Sequence, residues 1–163
     1  MVIFGISTHP ANLGKEIARN LFEFRYTGVI HLVGKEGGIL FGRKIHGSLD
    51  EIYDAVDLAI ILTPARTVPE ILEQCGARGI KRAVIESGGF GELGEDGRLL
   101  GQKLKEIAQK YEIRFIGPNC IGLMNAANGL TTPFARLQNV FRQGSVGIIS
   151  QSGGVALSFL NMF

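Results

Sequence analysis

The stretch Gly117-Pro118-Asn119-Cys120-Ile121-Gly122 sets a carboxamide beside a thiol, directly after the apolar run Ile113–Ile116. A bare turn needs the Gly and the Pro but not the Asn–Cys pair. A thiol is a nucleophile when its pKa is depressed and a base stands beside it. The sequence shows neither around Cys120. His9, His31 and His46 follow no relay or metal spacing, and His31 falls inside an apolar run, which suits a structural role. Ser150-Gln151-Ser152-Gly153-Gly154 lacks the G-x-S-x-G spacing of a nucleophile elbow, and Ser152 reads as a helix cap. The remaining polar residues at strand ends suit binding more than bond-breaking.

Those residues need a scaffold. Short apolar runs, Val2–Ile6, Val29–Val33, Leu58–Leu62, Ala83–Glu86, Ile113–Ile116 and Val146–Ile149, do not alternate with polar residues. That suits strands buried on both faces, hence a parallel sheet. Between them lie helical patterns. Asn12–Arg25 places Leu13, Ile17, Leu21 and Phe24 at helical spacing with Asn12 as cap. A shorter helix is expected from Ser48, with Leu49, Ile52 and Val56 inward. Thr67 and Glu70 read as a capping box, Pro69 falls early in that helix, and Gly79 ends it, with Ile71, Leu72 and Cys75 inward. Asp96–Tyr111 buries Leu100, Leu104, Ile107 and Ala108. The fold class is therefore α/β, a Rossmann-like doubly wound parallel sheet with right-handed crossovers.

Ligands of such sheets bind beyond the carboxyl ends of the strands. Five loops fall there: GISTHPANLG, VGKEGG, LTPART, ESGGFGE and GPNCIG. The first is either a phosphate-binding turn with two hydroxyls or an ordinary loop with an Asn cap; Gly5 and Gly14 are too far apart for G-x-G-x-x-G. Lys35 is either a phosphate partner or a solvated lysine, and Glu36 keeps an NAD reading open. Pro64 offers a flat wall and Arg66 a reach to an anion. Ser87-Gly88-Gly89-Phe90-Gly91 permits close backbone approach, or is a mobile turn.

Composition narrows the class. The chain has 163 residues, enough for one domain with a sizeable core. Its net charge of +2, with no basic stripe, argues against nucleic acid. No apolar run approaches the ~18 residues of a membrane span, and Val2–Phe4 is too short for a signal peptide. Cys75 and Cys120, well separated, point to reduced thiols and a cytoplasmic setting. The expected organisation is a Rossmann-like domain over 1–124, a linker over 125–144, and over 145–163 the first strand and helix of a second α/β domain. The tail, with Leu157, Phe159, Leu160, Met162 and Phe163, is expected to self-associate or stay mobile.

GKEGG, TPARTVPEILEQCGARGIK, SGGFGE, GPNCIG and VGIISQSGG, in this order, resemble the CoA-binding domain of the ADP-forming acyl-CoA synthetases, whose relatives include the succinyl-CoA synthetase alpha subunit. The resemblance spans essentially the whole chain. It implies that Ser7, Thr8, Asn12 and Leu13, in the loop opened by Gly5, hold the CoA diphosphate. It implies that Lys35 meets the phosphate on the adenosine ribose. Thr63 and Pro64 wall the adenine and pantetheine, Ser87 and Gly88 lie beside the pantetheine, and Asn119 and Cys120 line the thiol end. By the same resemblance Ser150–Gly153 lies near a phosphohistidine site, whose histidine belongs to a part beyond Phe163, and an ATP-grasp domain or subunit is the expected partner. The chain should thus bind CoA or acyl-CoA without turning over, with no catalytic residue and no metal. The first loop, with Pro10, is closer to the acetate-type synthetases.

Two other readings compete. An NAD(P)-binding domain of an oxidoreductase or redox sensor would show an acid after the second strand and a G-x-G-x-x-G turn, and the turn is missing. A scaffolding domain that binds no nucleotide would not converge five such loops on one rim.

Overall fold

The computed structural model describes residues 1–91, 94–137, 143–160 and 162. In chain order its strands are β1 (Val2–Phe4), β2 (His31–Val33), β3 (Gly38–Leu40), β4 (Arg43–His46), β5 (Ala59–Ile61), β6 (Arg82–Ile85), β7 (Arg114–Ile116), β8 (Met124–Asn125) and β9 (Leu130–Thr131). Its helices are α1 (Leu13–Glu23), α2 (Val68–Ala77), α3 (Glu95–Tyr111) and α4 (Gly153–Leu160), with single 3-10 turns at Leu49–Glu51 and Ala65–Thr67. Seven strands form one sheet in the order β3-β4-β2-β1-β5-β6-β7, parallel except for β3 against β4. This is a mostly parallel, Rossmann-like sheet flanked by helices.

Alternation along the buried strands divides the core. Val2, Phe4, Ala59, Ile61, Ala83 and Ile85 face α2 and α3, meeting Leu72, Cys75, Leu104 and Ile107. Ile3, Leu32, Ile60 and Val84 face the other way, against Ile17, Ala18 and Leu21 of α1. From β1 the chain builds the sheet outward first on one side, through β2, and then on the other, through β5, so the strand order reverses between β1 and β5 and the crevice at the carboxyl ends opens there. Gly5 stands at that point with φ +93, and a Cβ there would lie 1.9 Å from the Leu62 carbonyl oxygen, so only glycine lets the first and third loops meet.

Several expectations change. Asn12 caps α1 as expected, its Oδ1 accepting from Lys15 N at 2.8 Å, but Leu13 is exposed because the helix starts on its solvent side. The expected helix from Ser48 is a single 3-10 turn; Leu49 and Ile52 are buried nonetheless. The Thr67–Glu70 capping box does not form. The Thr67 hydroxyl instead bonds back to the Pro64 carbonyl at 2.8 Å and the Thr63 hydroxyl at 3.0 Å. The hairpin β3–β4 was not expected; its turn is Phe41-Gly42, with φ +49 and +74, and a phenylalanine in a left-handed turn is no recognised hairpin signal.

The sixth expected strand, Val146–Ile149, is coil, with Val146 and Ile149 largely exposed. An apolar run becomes a parallel strand only where a neighbouring ladder receives it. The stretch read as a linker carries β8 and β9, which pair with each other and pack on α1, burying Thr131, Thr132 and Leu137. In α4 no residue is buried; Phe159 and Met162 are exposed, and Phe163 lies outside the described residues.

Candidate functional site

All the parallel strands end on one rim, and the loops there are braced by their own side chains. In the first loop both ends of the Asn12 amide are committed, Oδ1 to the helix cap and Nδ2 to the Gly5 carbonyl at 2.9 Å. Asn12 thus shapes the loop. Ser7 Oγ accepts from His9 N at 3.3 Å, and His9 Nδ1 accepts from Ala11 N at 3.2 Å. Thr8 and Leu13 stand exposed on the rim. Thr8 also approaches the second loop: a Cβ on Gly38 would lie 3.4 Å from its methyl group. Lys35 at the second tip is exposed and pairs with no acid among the described residues.

The third, fourth and fifth loops are tied through Ser87. Its hydroxyl accepts from Thr63 N at 3.0 Å and donates to the Ile61 carbonyl at 3.3 Å, while its carbonyl accepts from Asn119 N at 3.0 Å. Ser87 is 2% exposed, so its side chain is a brace between loops and not a free ligand group. Gly88 and Pro64 are exposed beside it. The Gly117–Pro118 peptide is cis, and Asn119 follows in the left-handed region at φ +58 with its side chain exposed. Cys120 turns inward, its thiol donating to the Ile85 carbonyl at 3.5 Å. Burial pushes that thiol above its ordinary range, so it is no activated nucleophile. His31 likewise is structural: it packs 3.3 Å from Asp54, and burial lowers its pKa.

One residue had no role in the sequence reading. Glu86, the last residue of its apolar run, is 2% exposed behind the Gly117–Gly122 loop. Neither carboxyl oxygen has a hydrogen-bond partner of good geometry. Burial pushes its pKa up to about 9, with the Thr132 hydroxyl only partly opposing. The carboxyl is therefore neutral at pH 7. It sits against Gly122 (φ +104), where a Cβ would lie 2.4 Å from Thr132 Oγ1 and 2.6 Å from Glu86 Oε1. The only sequence signal was an acid ending a buried run.

In front of the same loop opens a cavity of about 670 Å³. The Gly117–Gly122 loop forms one side, Phe134 a second, and the start of α4 a third. Among the described residues no charged side chain lines it. Ser152 Oγ caps α4 by accepting from Val155 N at 3.3 Å, as expected.

A family model for the CoA binding domain matches residues 1–126. The chain belongs to this family. It is 39% identical to the acetate–CoA ligase [ADP-forming] I subunit alpha of Pyrococcus furiosus, over 98% of this chain and 35% of that one. It is 41% identical to the acetate–CoA ligase [ADP-forming] of Methanocaldococcus jannaschii, over 99% of this chain and 22% of that one. Among solved structures, the apo dinucleotide forming acetyl-coenzyme A synthetase 1 of Ca. Korarchaeum cryptofilum superimposes with a TM-score of 0.90 at 30% identity, covering 99% of this chain and 35% of that one. The chain thus spans about a third or less of the length of these relatives. It is a CoA-binding domain of the ADP-forming acyl-CoA synthetase type, its cofactor is coenzyme A, and the oxidoreductase alternative finds no support. No helix among the described residues is long and apolar enough to cross a membrane.

Proposed function

We propose that this domain holds CoA across the carboxyl rim of the sheet and presents its thiol to the cavity beside Asn119 and Cys120. The observation that carries the orientation is the chemistry of the two ends of the rim. The end near β2 has the free cation Lys35 and the hydroxyls of Ser7 and Thr8 beside an α1 N-terminus, which suits phosphates. The opposite end is an uncharged cavity, which suits a pantetheine arm. Gly5, Thr8 and Leu13 offer backbone or surface to the diphosphate, Thr63 and Pro64 wall the middle, and Gly88 and Asn119 receive the arm.

In the whole enzyme this domain would take part in converting acyl-CoA, ADP and phosphate into acid, CoA and ATP. An ATP-grasp domain or subunit and a phosphorylated histidine would come from outside these residues, so this chain alone binds without turnover. Residues 1–137, with β9 on α1 and Phe134 at the cavity, are the binding unit, and 145–163, whose start also lines the cavity, lead into the next domain. The setting is the reducing cytoplasm, consistent with two free thiols.

Calorimetric titration of the chain with CoA, dephospho-CoA, NAD and ADP tests this. CoA should bind tightest. Lys35→Ala should weaken CoA by about 1.5–3 kcal/mol, the value of a charge-assisted contact, and dephospho-CoA much less. Equal losses for both ligands remove Lys35 from the phosphate, and NAD binding tighter than CoA refutes the site.

A further inference from the structure

A fully buried asparagine inside a helix needs a reason. Asn20 lies in the third turn of α1 with 0% exposure. Asparagine is a poor helix residue, and a leucine there would fill the core without burying an amide. Its Nδ2 donates to two carbonyls, Pro133 O at 2.7 Å and Ala135 O at 2.8 Å. Its Oδ1 has no partner. The amide therefore grips the backbone on both sides of one residue, Phe134. That residue is partly buried against the α1 side of the core and lines the cavity together with Cys120 and Ile121. Its N-terminal neighbours are fixed as well. Thr132 Oγ1 accepts from Leu123 N at 2.9 Å, and Thr131 and Thr132 are buried.

We infer that Phe134 is a specificity-determining residue that meets the group carried on the CoA sulfur, and that Asn20 is the positioning residue that holds it there. This rests on the cavity being the thiol end of the site. Among the described residues the cavity offers no charge to an acyl chain, so its apolar part selects by shape, and Phe134 is the largest described side chain lining it. Two hydrogen bonds flanking Phe134 fix the direction of its ring more firmly than one would. The clamp also satisfies two carbonyls, which a purely structural asparagine would do equally. The separating property is acyl preference.

The test is titration of the full chain with CoA and with acetyl-, butyryl-, hexanoyl- and octanoyl-CoA. The unaltered chain should show an affinity optimum along the series. Phe134→Ala should move the optimum to longer chains, changing the octanoyl-to-acetyl affinity ratio by about tenfold, the usual worth of hydrocarbon fit in a pocket. Phe134→Leu, less disruptive to the core, should move it in the same direction by less. Asn20→Ala and Asn20→Asp should flatten the preference. If the Phe134 variants leave the ratio unchanged, the specificity role is wrong. If the Asn20 variants weaken CoA and every acyl-CoA by one common factor, or only lower the melting temperature, Asn20 is a structural brace and its positioning role falls. Failure of CoA itself to bind the unaltered chain would remove the site on which this rests, a different result seen before any acyl series is compared.

Discussion

Glu86→Gln keeps the shape of a buried side chain and removes its ionisation. The carboxyl has an ordinary pKa of 4.5 and a folded one of about 9. A folded value above the unfolded one means that the group's stability is fully present below about 4.5 and is lost as pH rises through about 9. Within that window the unfolded chain releases a proton that the folded chain keeps, at about 1.4 kcal/mol per pH unit. Between pH 6 and pH 8, wild type should therefore lose about 3 kcal/mol relative to the variant. For a chain of this size that is roughly 5–10 °C in melting temperature. The new amide adds an N–H that must also find a partner, but that cost does not vary with pH and cancels in the comparison. His31 is common to both proteins and cancels, and Cys120, whose thiol burial holds above its ordinary range, stays protonated at both pH values. Thermal melts at the two pH values, monitored by far-UV circular dichroism, measure the double difference. Parallel curves for the two proteins would show that Glu86 is solvated or ionised in the fold, and the neutral-acid assignment would be wrong.

Three further outcomes follow from the rim and the tail. Asn12→Ala removes the α1 cap and the bond to Gly5, and should cost about 1 kcal/mol of stability by denaturant titration. CoA affinity should fall with it, and an unchanged affinity would separate the loop's shape from binding. Gly5→Ala forces a Cβ against the Leu62 carbonyl at positive φ, so a loss of about 2–4 kcal/mol is expected, and near-wild-type stability would refute the close approach of those loops. Ending the chain after Gly144 should leave the sheet folded, since no described residue beyond it is buried or in a strand, and should weaken CoA only through loss of the α4 side of the cavity. Sedimentation should then show less self-association. Unfolding of that shortened chain would place the segment in the core.

β1, β2, β5 and β6 were readable because each is a continuous apolar run, and burial on both faces demands that pattern; β7 was read from a similar run although it ends the sheet and is largely exposed. α1, α2 and α3 were readable from helical spacing. Reading failed where a residue's environment, not its type, decides the outcome. Val146–Ile149 has strand composition but no ladder beside it. Phe41 turns a hairpin through a conformation that phenylalanine rarely adopts. Thr67 had the spacing of a cap but found Pro64 and Thr63 closer. In the site, the residues at strand tips were placed correctly on the rim by topology alone. Their division of labour was not visible: Asn12 spends its polar atoms on its own loop and helix, and Ser87 on neighbouring loops. Asn20, Glu86 and Phe134 were passed over, because an amide in a helix, an acid after a strand and a phenylalanine in a polar stretch carry no motif.

The tie from Thr63 through Ser87 to Asn119 has a kinetic consequence. Three loops joined by hydrogen bonds have few conformations left to lose when a ligand arrives, and ordering each free residue would cost about 1–2 kcal/mol. That loss is already met when the chain folds. Little loop closure should therefore gate entry at this end, so association should show a single phase whose rate rises linearly with CoA concentration. Ligands that differ at the sulfur should then part company in how long they stay, while arriving at much the same speed.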